Sequence, residues 1–480
     1  MGSGGRPSLT AGDERAMAKK AIGRKSASRV APLYKRLPHG PHRLQRDEVV
    51  LNQRARIHGA LIEAIAHDGY EGTSVKQVIG LAGVSRRSFY EQFANKEECF
   101  LVTFDLIVKR DLQQVRRAYL AAGGPLEQRM RAAFERFAKA VEEDRKATIL
   151  IVLQAQRAGT AGVLHLRNAT RACEQLLARG FAESPEATAL PMPIVRGIAG
   201  GLHGIAATFL RDPHATRGVE LSQEMLRWTL LFQTPATEDL AERMAAEVAA
   251  RMREISSTYG RGPRGAEAPT RDEHTRLLQG MLRLVTREDY CTLTAPQIAE
   301  EANVPIDAFC ELFVDKDECF LAAIDMIGDE LLTIAADPDL ISEDWARAVR
   351  RVLAELMRYL ANHPLQTRVL AQEAFFAGAD AFERIVDLAL SIATLLTEGA
   401  PTRAQSALIT EAVAGAIWHT IRCQVAGGRI ELLAAVSDHL SYVVLAPFIG
   451  AEAAIEIVTE ERPSCATSVG DCVSPVPQST

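Results

Sequence analysis

The sequence predicts an all-α protein of two tandem helical units. Three observations carry this. Apolar positions recur at the spacing of helix faces, and Ala and Leu are more prominent than Val and Ile in a chain that is 47% hydrophobic and 24% charged. The segment GYEGTSVKQVIGLAGVSRRSFYEQFANKEECFL aligns without gaps against DYCTLTAPQIAEEANVPIDAFCELFVDKDECFL, an offset of 220 residues that sets Cys99 against Cys319. A later pair, IVRGIAGGLHGI (194–205) and ITEAVAGAIWHT (409–420), shows that each half is a whole two-part unit. At 480 residues the chain also exceeds what one hydrophobic core usually serves.

Read in order, the chain divides into a basic arm (1–45), a helix-turn-helix domain (46–105), a helical domain (106–233), a linker helix and loop (234–269), a degenerate helix-turn-helix (270–328), a second helical domain (329–450) and a disordered tail (451–480). Before Asp47 the chain holds eleven Lys and Arg, from Arg6 to Arg46, against only Asp13 and Glu14. A net charge of -6 means that any nucleic-acid contact comes from such a local patch. The arm reads as that patch, a solubilising tail being the alternative.

The eight cysteines form no CxxC pair or Cys/His ladder at zinc spacing, so no metal or cofactor is expected. Most lie in apolar helical text and read as reduced and buried. Cys465 and Cys472, in the Ser/Pro-rich PSCATSVGDCVSPVPQST, belong to the tail. No signal peptide is visible and no uncharged apolar run approaches the roughly 18 residues of a membrane helix, so a cytoplasmic location without membrane contact is expected.

In the first unit NQRARIHGALIEAIAHDGY is a helix, with Ile57, Leu61 and Ile65 on one face and Gly69 as its stop. Ser74 and Gln77 form a capping box that opens a second helix running to about Ala82. Gly83 permits a sharp turn, Val84 plugs the core, and Ser85 caps a third helix reaching Phe93. Phe89 and Phe93, four apart, point inward. Arg86, Arg87, Ser88, Tyr90 and Gln92 are left outside. Outward Arg pairs with guanine edges or phosphates, whereas hydroxyls fix the backbone, so Arg86 and Arg87 are assigned to bases or phosphates and Ser88 and Tyr90 mainly to phosphates. Ser74, Lys76 and Ser85 complete the DNA-facing set. Asn95 and Glu98 form another capping box, with Lys96 as a backbone anchor at a helix start whose free amides favour phosphate.

Taken alone, two adjacent arginines on a helix are a solvated face. The whole string TSVKQVIGLAGVSRRSFYEQFANKEECFL, however, resembles the DNA-binding domain of the TetR family of transcriptional regulators, and RLPHGPHRLQRDEV resembles the basic lead-in of its actinobacterial members. The resemblance covers residues 46–105 well and the following helices only in layout. It implies a regulator of double-stranded DNA with an all-helical effector domain behind each reader, a small-molecule pocket in 106–233, and a dimer interface that uses the helix at 194–211. Gly197, Gly200, Gly201 and Gly204, with Ala412, Gly415 and Ala416 in the second half, fit close helix packing, whether at an interface or a generic crossing. His203 and Trp418, at matching positions, read as core or interface rather than ligand residues.

The second copy keeps what folding needs: Thr294 and Gln297 for the capping box, Asn303 in place of Gly83, Phe309 and Phe313 inside. Its outer face changes, since Pro305, Ile306, Asp307 and Cys310 replace Ser85, Arg86, Arg87 and Tyr90 and Glu300, Glu301, Asp315 and Asp317 crowd nearby. Acidic residues repel phosphate, so this copy reads as scaffold, though Lys316 keeps the position of Lys96. Between the units an amphipathic helix from Thr237, with Leu240, Met244, Val248, Met252 and Ile255 on one face, spans about 33 Å. The chain is thus expected to fold as a single-chain pseudo-dimer with one competent reader, a homodimer of chains remaining an alternative. No catalytic signature appears, so an enzyme is not expected. The rival reading is a helical interaction protein that keeps the fold without specific DNA binding.

Overall fold

The computed structural model describes residues 46–183, 190–212, 214, 217–232, 272–288, 290–337, 340, 344–375, 377–401 and 408–460. The arm, the linker helix and residues 461–480 lie outside the described residues. Among those described, all regular structure is helical.

The first half contains α1 (Arg46–Gly72), α2 (Val75–Ala82), α3 (Arg86–Tyr90), α4 (Lys96–Ala122), α5 (Leu126–Glu143), α6 (Arg145–Ile149), α7 (Gly159–Ala182), α8 (Met192–Arg211) and α9 (Gly218–Leu230). The second contains α10 (Glu273–Val285), α11 (Ala295–Ala302), α12 (Ile306–Leu312), α13 (Lys316–Ala335), α14 (Trp345–Asn362), α15 (Pro364–Ala371), α16 (Ala379–Thr397), α17 (Ile409–Ala426), α18 (Ser437–Ile449) and α19 (Ala451–Thr459). They form two compact units, Met1–Ile107 with Lys146–Gly162, and Val108–Arg145 with Val163–Thr480.

The first unit is the helix-turn-helix. Ile57, Leu61 and Ile65 of α1 are buried with Phe89, Phe93, Phe100 and Phe104, so the apolar stripe read from the sequence is the core. Gly69 has φ 71°, where the left-handed region favours glycine, and ends the straight run of α1. The next amide, Tyr70 N, donates to Gln154 Oε1 at 3.1 Å. Gln154 closes the π-helical turn Leu150–Gln154, a local unwinding that carries its side chain back to α1.

In the second unit α8 and α17 cross with their backbones in contact. A Cβ on Gly200 would stand 2.5 Å from Gly415 O, one on Gly415 2.4 Å from Gly200 O, and one on Gly204 2.3 Å from Glu411 O. Only glycine permits this approach. The other two glycines serve different neighbours: Gly201 lies under the Trp228 indole and Gly197 against Val443. Trp228 Nε1 donates to Ile198 O at 2.9 Å, which locks α9 onto α8.

Several expectations change here. Residues 451–460, read as tail, are the helix α19 and its end; Ala454, Ile455 and Val458 are buried, so AAIEIV is a helix face and not linker text. Met192–Arg211 and Ile430–Ile449 reach the length and hydropathy of a spanning helix once a charge is tolerated, but 72% and 83% of them is buried, as suits core helices. Of the cysteines, Cys99 and Cys319 are buried and Cys423 half-buried, whereas Cys173, Cys291 and Cys310 are exposed. Cys310 takes the outward slot that Tyr90 holds in α3.

Candidate nucleic-acid interface

The helix-turn-helix is assembled by local hydrogen bonds that the sequence encodes. At the start of α2, Gln77 N donates to Ser74 Oγ at 3.3 Å and Ser74 N to Gln77 Oε1 at 2.9 Å, closing the capping box. Gln77 Nε2 also donates to Asp68 Oδ2 at 2.8 Å, which fixes α2 to the end of α1. Gly83, with φ 60° and ψ 41°, makes the turn. Arg56 of α1 then donates through Nε to Ala82 O at 2.8 Å, satisfying a carbonyl at the end of α2 from another helix. Ser88 N donates to Ser85 Oγ at 3.0 Å and starts α3.

What this leaves outside is a small cationic and aromatic face. Ser74, Lys76, Ser85, Arg86, Arg87 and Tyr90 are exposed. The Arg86 guanidinium lies 5.7 Å from the Tyr90 ring centroid, one turn along. Arg87 Nε donates to Glu91 Oε1 at 2.9 Å, an exposed i,i+4 pair. Such a pair is worth under about 1 kcal/mol, so Glu91 holds Arg87 only weakly.

Three predicted members are placed differently. Helix α3 ends at Tyr90 rather than Phe93, its last turn tightening as Gln92 N donates to Phe89 O, three residues back, at 3.0 Å. Gln92 therefore folds back, its Nε2 donating to Ser88 O at 3.3 Å and its Oε1 buried. Ser88 is half-buried, its hydroxyl 2.8 Å from that of Ser85. Lys96 is turned into the fold: Nζ donates to Tyr70 O at 2.9 Å and sits 4.3 Å from the Tyr70 ring centroid. Burial lowers the pKa of this ammonium. The second half shows the same arrangement, Lys316 Nζ donating to Tyr290 O at 2.8 Å over the Tyr290 ring, so folding by itself accounts for the lysine in both places. Glu98 N donates to Asn95 Oδ1 at 2.8 Å, but the Glu98 carboxylate takes the amide of Ala94 and not that of Asn95, so the expected box is shifted by one residue.

The corresponding part of the second half shares the scaffold. Asn303 has φ 52° and ψ 49° and makes the turn, the Thr294–Gln297 box is closed, and Phe309 and Phe313 are buried. Its outer face is Pro305, Ile306, Asp307, Cys310 and Glu311, all exposed. Three of the nearby acids have other duties. Glu301 pairs with Arg283 and Arg287, Asp315 caps α13, and Asp317 accepts from Tyr290. Only Glu301 is half-buried; Glu300, Asp315 and Asp317 stay exposed, and Asp307 stands where Arg87 stands in α3.

One buried polar pair distinguishes the two cores. His58 Nδ1 lies 2.7 Å from Thr103 Oγ1, whose own hydroxyl donates to Cys99 O at 2.6 Å. Thr103 therefore accepts, and His58 is neutral with its proton on Nδ1. The positions 220 residues on hold Leu278 and Ala323, both buried. Burial, with a smaller push from Arg54, lowers the His58 pKa to about 4. An imidazole near 6.5 when unfolded takes up its proton first in the unfolded chain, so stability is full above that value and is lost as pH falls toward 4. The depression corresponds to about 3 kcal/mol. Urea unfolding of the wild type should therefore lose about that much more stability than His58→Gln between neutral pH and pH about 4; parallel pH profiles would clear His58 of the effect.

Residues 57–103 match the family described as "Bacterial regulatory proteins, tetR family". Together with the geometry of α1 to α4, this match defines a DNA-binding transcriptional regulator of the helix-turn-helix class. Among solved structures the chain is similar to the transcriptional regulator FadR from Bacillus subtilis in complex with stearoyl-CoA, at 17% identity and a TM-score of 0.34, covering 36% of this chain and 96% of that one. It is likewise similar to the fatty acid degradation regulator FadR from Bacillus halodurans, at 20% identity and a TM-score of 0.32, with the same coverage. At these scores neither likeness bears on fold or ligand. No curated protein matches the chain.

Proposed function

We propose that the chain is a sequence-specific, ligand-responsive repressor folded as a single-chain pseudo-dimer, in which only the reader at Ser85–Tyr90 engages double-stranded DNA. One contrast carries this reading: the exposed face of α3 offers Arg86, Arg87 and Tyr90, whereas that of α12 offers Ile306, Asp307 and Cys310. DNA affinity is built chiefly on cationic contacts to phosphate, so only the first face has the charge for it. Ser74, Lys76 and Ser85 flank the contact. Gln92 and Lys96 are supports of the fold in this reading, not anchors.

The pseudo-dimer rests on the crossing of α8 and α17, which hold the matching segments 194–205 and 409–420. The approach is reciprocal, Gly200 facing Gly415 O and Gly415 facing Gly200 O. A reciprocal contact is what a two-fold interface uses, and it supports a pseudo-dimer made inside one chain. A response to a small-molecule effector rests on the family resemblance alone.

The test is solution mass with and without DNA, and the footprint on selected genomic fragments. A monomeric chain protecting a single half-site is expected. A palindromic footprint with half-sites one helical turn apart requires two chains and overturns the single-reader form. Absence of any salt-dependent binding to selected DNA favours the interaction protein instead.

A further inference from the structure

We propose that Glu174, His419 and Cys423 form a binding site for one divalent ion of the zinc class. The site does not depend on the DNA-binding reading. Helix α17 places His419 and Cys423 one turn apart, so both side chains leave the same face. Helix α7 supplies Glu174 across from them. His419 Nε2 lies 3.0 Å from Glu174 Oε1 and 3.3 Å from Cys423 Sγ, and Sγ lies 3.9 Å from the same Oε1. All three donor atoms fall within 4.8 Å of one another.

Glu174 Oε1 accepts from the ring nitrogen and, at a long 3.9 Å, from the thiol, while the nitrogen also faces the sulfur at 3.3 Å. A cation at the centre satisfies all three. Tetrahedral zinc with its usual bond lengths to sulfur, nitrogen and oxygen sets donor atoms about 3.4–3.6 Å apart, and the observed separations bracket that range. Shifts of a few tenths of an ångström suffice.

The charges and the space also fit. A thiolate and a carboxylate bring two negative charges to a divalent ion. Glu174 is buried, and its other oxygen, Oε2, faces Arg196 at 3.7 Å, the kind of outer contact that orients a ligating carboxylate. The cluster borders a cavity of about 100 Å³ that Arg171, Arg196, His203 and Arg422 also line. Organic ligands usually need about 300–1,000 Å³, whereas an ion with a water or small anion as fourth ligand fits here. With Arg167 and Arg429 the cavity carries five arginines, which raise the cost of any cation, so the most strongly binding ligands, thiolate and imidazole, decide the choice. That choice is zinc or cobalt over magnesium or calcium. Because Glu174 belongs to the first half and His419 and Cys423 to the second, the ion would fasten the two together.

Cobalt titration of the reduced, full-length protein tests this. One equivalent of Co²⁺ should give a thiolate-to-cobalt charge-transfer band and tetrahedral visible absorption, both removed by added Zn²⁺. Cys423→Ser should lose the charge-transfer band, and Cys173→Ser should keep it. Glu174→Gln, which retains the thiolate, should bind at least about tenfold more weakly and serves if Cys423→Ser fails to fold. No band from wild-type protein that is folded by circular dichroism would overturn the site. So would a band that survives Cys423→Ser, or unchanged affinity in Glu174→Gln.

Discussion

Replacing Arg86 and Arg87 together by alanine lowers affinity for a selected operator by roughly two to four orders of magnitude while leaving the melting temperature unchanged. Each arginine that reads a base edge is worth about 1–3 kcal/mol of discrimination, and each that meets a phosphate removes about one unit of salt slope. Stability is untouched because both side chains are exposed and the Arg87–Glu91 pair is a surface pair. The single variants separate the roles. Loss confined to the operator marks a base contact, and equal loss on random DNA with a shallower salt slope marks a phosphate contact. Gel-shift titrations at several salt concentrations read both. Asp307→Ala, on the opposite number of this face, should change neither affinity nor slope. Full operator affinity in the double variant would remove α3 from the interface.

What could be read beforehand divides along sequence distance. Contacts closed within one turn were legible: Ser74 with Gln77, Ser85 with the amide of Ser88, the left-handed turns at Gly83 and Asn303, and Phe89 with Phe93 four residues on. Each is a local rule acting on neighbouring residues. Its place at a helix start assigns Lys96 to phosphate, but its ammonium is claimed by the carbonyl of Tyr70, past the kink at Gly69 in the last turn of α1, a contact that the spacing of the motif does not specify. Gln92 failed by half a turn, because helix ends fray and α3 stops at Tyr90. The Glu174 cluster was half visible: His419 and Cys423 have the i,i+4 spacing of a helical ligand pair. Their third member stands 245 residues from His419, brought there only by the packing of α7 against α17.

The end of the chain shows the same limit most sharply, and it carries the other large effect expected. Arg350→Ala should cost about 3–5 kcal/mol, as breaking a buried ion pair from one side typically does. Arg350 is buried on α14; its Nε donates to Asp438 Oδ1 at 3.1 Å, and its remaining nitrogens to Ile457 O at 2.8 Å, Val458 O at 2.8 Å and Glu460 O at 3.0 Å. One guanidinium therefore neutralises a buried carboxylate on α18 and caps the last carbonyls of α19, which lack partners within their own helix. Read without α14, AAIEIVTEE has no stop signal and no reason to be ordered. Arg350→Lys should recover little, since an ammonium cannot meet these acceptors with a planar fork. Asp438→Asn, which keeps an acceptor while removing the charge, should cost less than Arg350→Ala. Urea unfolding ranks the three, and amide exchange at 454–458 should rise first in Arg350→Ala, because α19 loses its cap before the bundle opens. Stability equal to wild type in Arg350→Ala would mean that α19 is held by its apolar face alone.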